Sequence, residues 1–168
     1  MPCACGKTQI AAPDSKEWGP ILWQVLHGLA EKIGALVAPL YAPDELKLWP
    51  ALLQMIELVL PCEECRMHCK EWMQEHPLSP MKTLTNTDLK RWVKTWLWTL
   101  HSDVDCRIEK PTVTYDELEG LYRSVPIQAQ FRLIEAIQKK TMSQSGVKLN
   151  DWMKFVKYYR MLTSIYGL

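Results

Sequence analysis

A chain of 168 residues is long enough for one domain with a real core, or for one domain plus a helical extension, and too short for two full domains. Lys and Arg number 20 against 19 Asp and Glu, so a formal charge of +1 supplies no field to attract nucleic acid or anionic lipid, and no basic patch alternates with aromatics. No run is apolar and long enough to serve as a signal peptide or span a bilayer, which predicts a soluble cytoplasmic chain.

Residues 1–15 carry Cys3-Ala4-Cys5-Gly6 without periodicity and read as a flexible arm. Two readings stay open for that C-x-C: a shuttle that carries electrons between a partner and a buried site, or an accidental pair. From Asp14 or Ser15 as N-cap, apolar residues recur at helical spacing through Ile33. Trp23 and His27 lie four apart and share a face, and Trp18 stands before Gly19-Pro20. A His beside a Trp on an apolar helix serves either as a satisfied core residue, the commoner case, or as a ligand contact.

Pro39 and Pro43 break the chain, and Asp44 is placed to cap a second helix through Leu60, whose stripe of Leu46, Trp49, Leu52, Leu53, Ile56 and Val59 is core. It leads into Pro61-Cys62-Glu63-Glu64-Cys65-Arg66-Met67-His68-Cys69. Pro61 fits the first turn of a helix that runs to about Glu75. Cys62 and Cys65 fall within one turn, and their sulfurs can close a small disulfide ring if the first sits at the helix edge. The unpaired N–H groups and positive dipole end there favour thiolate over thiol. Three readings compete: a redox pair, which is favoured; two buried free cysteines; and a zinc site of Cys62, Cys65, His68 and Cys69. Structural zinc sites usually draw a second ligand pair from a distant knuckle, and no later C-x-x-C supplies one, so no metal is expected.

After the turn at His76-Pro77-Leu78-Ser79-Pro80, Thr87 is a candidate cap for a long helix bearing Leu89, Trp92, Trp96, Leu97, Leu100, His101 and Val104, with Asp105 one turn beyond His101 and Lys110-Pro111 ending it. Thr114 and Glu117 form a possible capping box. Amphipathic segments follow from Ile127 to Lys140 and, after Asn150 as cap, from Asp151 to Tyr166, separated by the polar residues 141–145 and Gly146.

Four blocks resemble the flavin-dependent sulfhydryl oxidases of the Erv/ALR type. They are Trp23-Gln24-Val25-Leu26-His27, Pro61-Cys62-Glu63-Glu64-Cys65-Arg66-Met67-His68, the run from Trp96-Leu97 through His101-Ser102-Asp103-Val104-Asp105, and Lys110-Pro111, in the family's order. The resemblance covers about residues 17–111. It implies an all-α fold, a four-helix bundle holding FAD with a short fifth helix, over residues 16–115, followed by a helical C-terminal extension over 116–168. It implies that thiolates of a protein dithiol or a thioredoxin-like client attack Cys62, that Cys65 lies nearest the flavin, and that electrons pass to dioxygen to give hydrogen peroxide. Trp18, Trp23, His27, Cys65, His68, Trp96, His101, Asp105 and Lys110 are the implied cofactor-binding set, and a homodimer is expected because the family forms them. Large DNA viruses that assemble in the cytosol encode divergent members with extra segments, an analogy that suits this chain.

Departures are local. Ser102 and Asp105 stand where the family has asparagines, and an ionised Asp only accepts hydrogen bonds where Asn also donates. Thr112-Val113-Thr114-Tyr115 replaces a structural cysteine after Lys110-Pro111, leaving Cys69 and Cys106 to pair with each other or stay free. Two other functions remain on the table: a zinc-binding helical interaction module without activity, and a flavin-free thiol exchanger of the thioredoxin kind, which lacks its strand–helix–strand pattern here.

Overall fold

In the computed structural model, which describes residues 13–168, the chain forms seven α-helices and, among the described residues, no strand. They are α1 (Ser15–Glu31), α2 (Ala42–Val59), α3 (Glu63–Glu75), α4 (Asn86–Arg107), α5 (Leu118–Tyr122), α6 (Ile127–Ser145) and α7 (Leu149–Ile165). The all-α expectation holds. No described helix is long and apolar enough to cross a membrane.

Helix starts follow local chemistry only in part. Asp14 caps α1 by accepting from Lys16 N–H at 2.9 Å. Asp44, by contrast, lies inside the first turn of α2, because the single turn Pro39–Tyr41 runs directly into the helix, whose N-cap position falls at Tyr41. There its charge and that of Glu45 suit the helix dipole instead. Thr85, not Thr87, precedes α4; both hydroxyls are engaged with each other, and Thr85 also donates to Asp88. The Thr114–Glu117 box forms, with Glu117 Oε2 accepting from Thr114 N–H at 2.8 Å and from its hydroxyl at 2.7 Å. Residues 141–145 continue α6 because Thr141 and Ser145 face inward and are buried, and the helix stops at Gly146, whose φ of 73° suits a residue without Cβ. Lys148 rather than Asn150 precedes α7.

The helices share one core. Val25, Leu26 and Leu29 of α1, Trp49, Leu52 and Leu53 of α2, and Leu89, Val93 and Leu97 of α4 are fully buried, each large aliphatic contributing about 1.5–3 kcal/mol. α6 packs along α1 and α7 along α2, so Phe131, Phe155 and Leu162 join the same cluster. On the α1–α4 side the buried Glu31 carboxylate is held by Lys94 at 2.5 Å and Lys90 at 3.6 Å.

At the α7–α2 contact the Trp49 indole donates to Tyr166 Oη at 2.8 Å, and Tyr166 donates to Glu45 Oε1 at 2.7 Å, which also accepts from Gly34 N–H at 2.8 Å. Burial, with the Glu45 contact adding, pushes the Tyr166 phenol far above its usual range, so it stays a donor. Tyr166→Phe leaves the Trp49 N–H without its partner and is expected to cost about 1–3 kcal/mol. Thermal unfolding of the variant checks this, since each kcal/mol lowers the midpoint by about 2–4 °C in a chain of this size.

Candidate active site

Pro61 lies just before α3 instead of within its first turn, and Cys62 takes the N-cap position. That puts the first sulfur at the helix edge, where Cys62 Sγ accepts from Cys65 N–H at 3.1 Å, and the two residues are joined as a disulfide with Cα atoms 5.1 Å apart. When the bond opens, either thiolate faces the positive end of α3. Glu63 and Glu64 oppose that effect from exposed positions in the same turn.

Both cysteines line a cleft of about 940 Å³ between α1, α3 and α4, near the top of the usual range of about 300–1,000 Å³ for ligand sites. Of the implied set, Trp18, Trp23, Cys65, His68, His101, Asp105 and Lys110 all line it. Trp23 and His101 form one wall, their rings 4.1 Å apart and nearly parallel. Trp18 is buried, and its indole N–H has no hydrogen-bond partner among the described residues. Lys16, Arg107 and Lys110 add positive charge to the lining.

Two residues of the set take other places. His27 sits behind the wall, stacked on Tyr122 at 4.5 Å, with Nε2 3.0 Å from His101 Nδ1. Burial, then the charges of His101 and Lys94, push His27 down to about 3, so it is neutral near pH 7, and it is bonded to His101 without lining the cleft itself. Burial also lowers His101, with Lys110 adding to the effect and Asp105 opposing it from 3.6 Å. One proton is shared between His27 Nε2 and His101 Nδ1, so one ring donates and the other accepts, and the Asp105 carboxylate faces the remaining His101 nitrogen from 3.6 Å. Trp96 is turned away from the cleft altogether. It lies five residues before His101, about 140° around the helix, and instead packs edge-on against Trp72 and donates to His76 O at 3.0 Å.

Sequence reasoning missed Asp103, which accepts from His68 Nε2 at 2.7 Å and from Arg107 Nε at 3.2 Å and so orients an imidazole one turn from Cys65. It also missed Tyr122. Cys69 and Cys106 are both free. Cys69 lines the cleft, but burial, with the charge of Glu57, pushes its thiol up to about 12, so it is protonated and unreactive at neutral pH. The four side chains of the zinc alternative do not converge: two are joined as a disulfide, His68 is turned to Asp103, and no group of three or more His, Cys, Asp or Glu side chains among the described residues is placed to hold a metal ion. Cys3 and Cys5 lie outside the described residues.

A disulfide thus opens on a large cleft with a stacked aromatic wall, an indole donor without a partner among the described residues, and several cations. The family profile described as Erv1 / Alr matches residues 20–123, from within α1 to just past α5, and takes in the disulfide and the Trp23–His101 wall. No curated protein and no solved structure matches the chain. With the family profile covering more than half of its length, the chain belongs to the Erv1 / Alr sulfhydryl oxidase family.

Proposed function

We propose that the chain is an FAD-dependent thiol oxidase that forms disulfides in protein dithiols and passes the electrons to dioxygen. The observation that carries this reading is that the Cys62–Cys65 disulfide and the Trp23–His101 stack line one cleft. The residues present fit the cofactor: flat rings suit a planar heterocycle, Lys16, Arg107 and Lys110 suit a diphosphate, and the Trp18 N–H is a buried donor in need of an acceptor. His68, His101 and Lys110 would hold the group, while Asp105 offers only acceptor oxygens, so a ribose hydroxyl or exocyclic amine suits it.

The chain's own chemistry is thiol exchange. A substrate thiolate attacks Cys62 Sγ, a mixed disulfide forms, and Cys65 leaves as a thiolate stabilised by the N-terminus of α3. A second substrate thiolate then attacks the mixed disulfide, leaving the substrate oxidised and the cysteine pair reduced. Bound FAD would supply the two-electron acceptor that reoxidises the pair and the route to dioxygen, giving hydrogen peroxide. Ser15 and Lys16, at the start of α1, line the same cleft as the disulfide, which supports a shuttle role for Cys3 and Cys5, in this copy or in a homodimer partner. Oxygen uptake with matched peroxide production, on adding dithiothreitol or a reduced client to FAD-loaded protein, tests the reading; loaded protein that consumes no oxygen contradicts it.

Trp18→Phe deletes the donor and keeps an aromatic ring, though a smaller one than the indole. FAD affinity measured by fluorescence titration is expected to fall about 3–10-fold, the scale of one neutral hydrogen bond, with the fold intact.

A further inference from the structure

Arg66 follows Cys65 but does not line the cleft. Its guanidinium donates from Nη1 to Leu60 O and from Nη2 to Ser145 O, each at 2.6 Å. Leu60 is the extended residue that ends α2 and leads through Pro61 to Cys62, and Ser145 is the last residue of α6, beyond the family match. A second bond ties the same two regions: Gln138 of α6, itself buried, donates to Val59 O at 3.1 Å. The carbonyls on both sides of the Leu60 N–H are therefore engaged by groups bound to, or part of, α6. Residues 59–61 are buried up to the edge of the disulfide. Gly146 completes the arrangement, because a Cβ there would lie 3.1 Å from Arg66 Nη2 as well as straining a φ of 73°.

We propose that the α6–α7 hairpin is a clamp on the redox loop, closed by Arg66, and that it holds Cys62 over Cys65 so as to favour closure of the disulfide. Arg66 is thus a positioning residue for the reaction. The proposal rests on the reading of Cys62–Cys65 as the reactive pair. Its physical basis is effective concentration: once the pair is reduced, a free 59–62 segment would let Cys62 Sγ sample many positions, whereas a clamped one keeps it near Cys65 Sγ.

The test is the thiol–disulfide equilibrium of the full chain with glutathione, without oxygen. Two protein thiols and one oxidised glutathione give the Cys62–Cys65 disulfide and two reduced glutathiones, with two electrons and two protons passing to glutathione. The fraction of reduced Cys62 and Cys65 is read by alkylation and peptide mass. Arg66→Ala opens the clamp from one side, and Gly146→Ala pushes on it from the other while keeping the Arg66 charge. Each is expected to lower the equilibrium constant for closure about tenfold, which raises the midpoint potential by about 30 mV. Tyr166→Phe loosens α7 at a distance; it is expected to lower the thermal midpoint and leave the equilibrium within about twofold. Unchanged equilibria in both clamp variants, a shift in one of them alone, or an equal shift in Tyr166→Phe would overturn the proposal. Because the readout needs no oxygen uptake, failure of the clamp and failure of the oxidase reading are separately visible.

Discussion

Cys65→Ser is expected to abolish thiol-driven oxygen uptake, by at least about a thousandfold, because the variant has no sulfur to close on Cys62 and none to pass electrons into the cleft. Cys62→Ser is expected to do the same to turnover for a different reason: Cys65 then keeps its place at the cleft but has no partner for an incoming thiolate to open. Cys69→Ser is the matched control. Its thiol shares the lining, yet burial pushes it up to about 12, so too little thiolate exists at neutral pH for exchange. Turnover within about twofold of the parent is expected for it. An oxygen electrode with dithiothreitol separates the three, and activity retained by Cys65→Ser would remove the disulfide from the mechanism.

The second large effect is on stability in acid. His27 in the fold is held down to about 3 against 6.5 for an unperturbed imidazole, by burial first and by the charges of His101 and Lys94 after it. Between those values the unfolded chain carries a proton on His27 that the folded chain lacks, so the unfolded state gains as pH falls. Stability is full above about 6.5 and is lost on the way down toward 3, at a rate approaching about 1.4 kcal/mol per pH unit. His101 is shifted in the same direction and adds to the slope. Urea unfolding at pH 7 and pH 4.5 checks this, with His27→Gln as comparison. The parent midpoint is expected to fall more steeply than the variant's, and parallel slopes would mean that carboxylates alone carry the acid sensitivity.

Much of the site was legible from spacing because it lies on single helices. Trp23 and His27 four apart, Cys62 and Cys65 three apart at a helix start, and His101 and Asp105 four apart each place two side chains on one face, and the structure keeps them there. Trp96 misled for the same reason in reverse: five residues from His101 is the wrong phase, and the motif hid it. Helix starts differ from the expected caps at Asp44, Thr87 and Asn150: α2 and α7 begin after Tyr41 and Lys148, which form no side-chain cap, and at α4 the nearby Thr85 takes the place of Thr87. What could not be read at all joins distant residues. His68 and Asp103 are 35 apart, and Arg66 and Ser145 are 79 apart. The helical state of residues 141–145 likewise depends on burial against the core, which their polar composition does not announce.

The most direct test is the visible spectrum of the purified full chain, followed through one redox cycle. A band near ~450 nm that bleaches on anaerobic addition of dithiothreitol, returns on admitting oxygen, and does not bleach in Cys65→Ser is the predicted result. A colourless protein that takes up no FAD, or a flavin band indifferent to dithiols, would contradict the account.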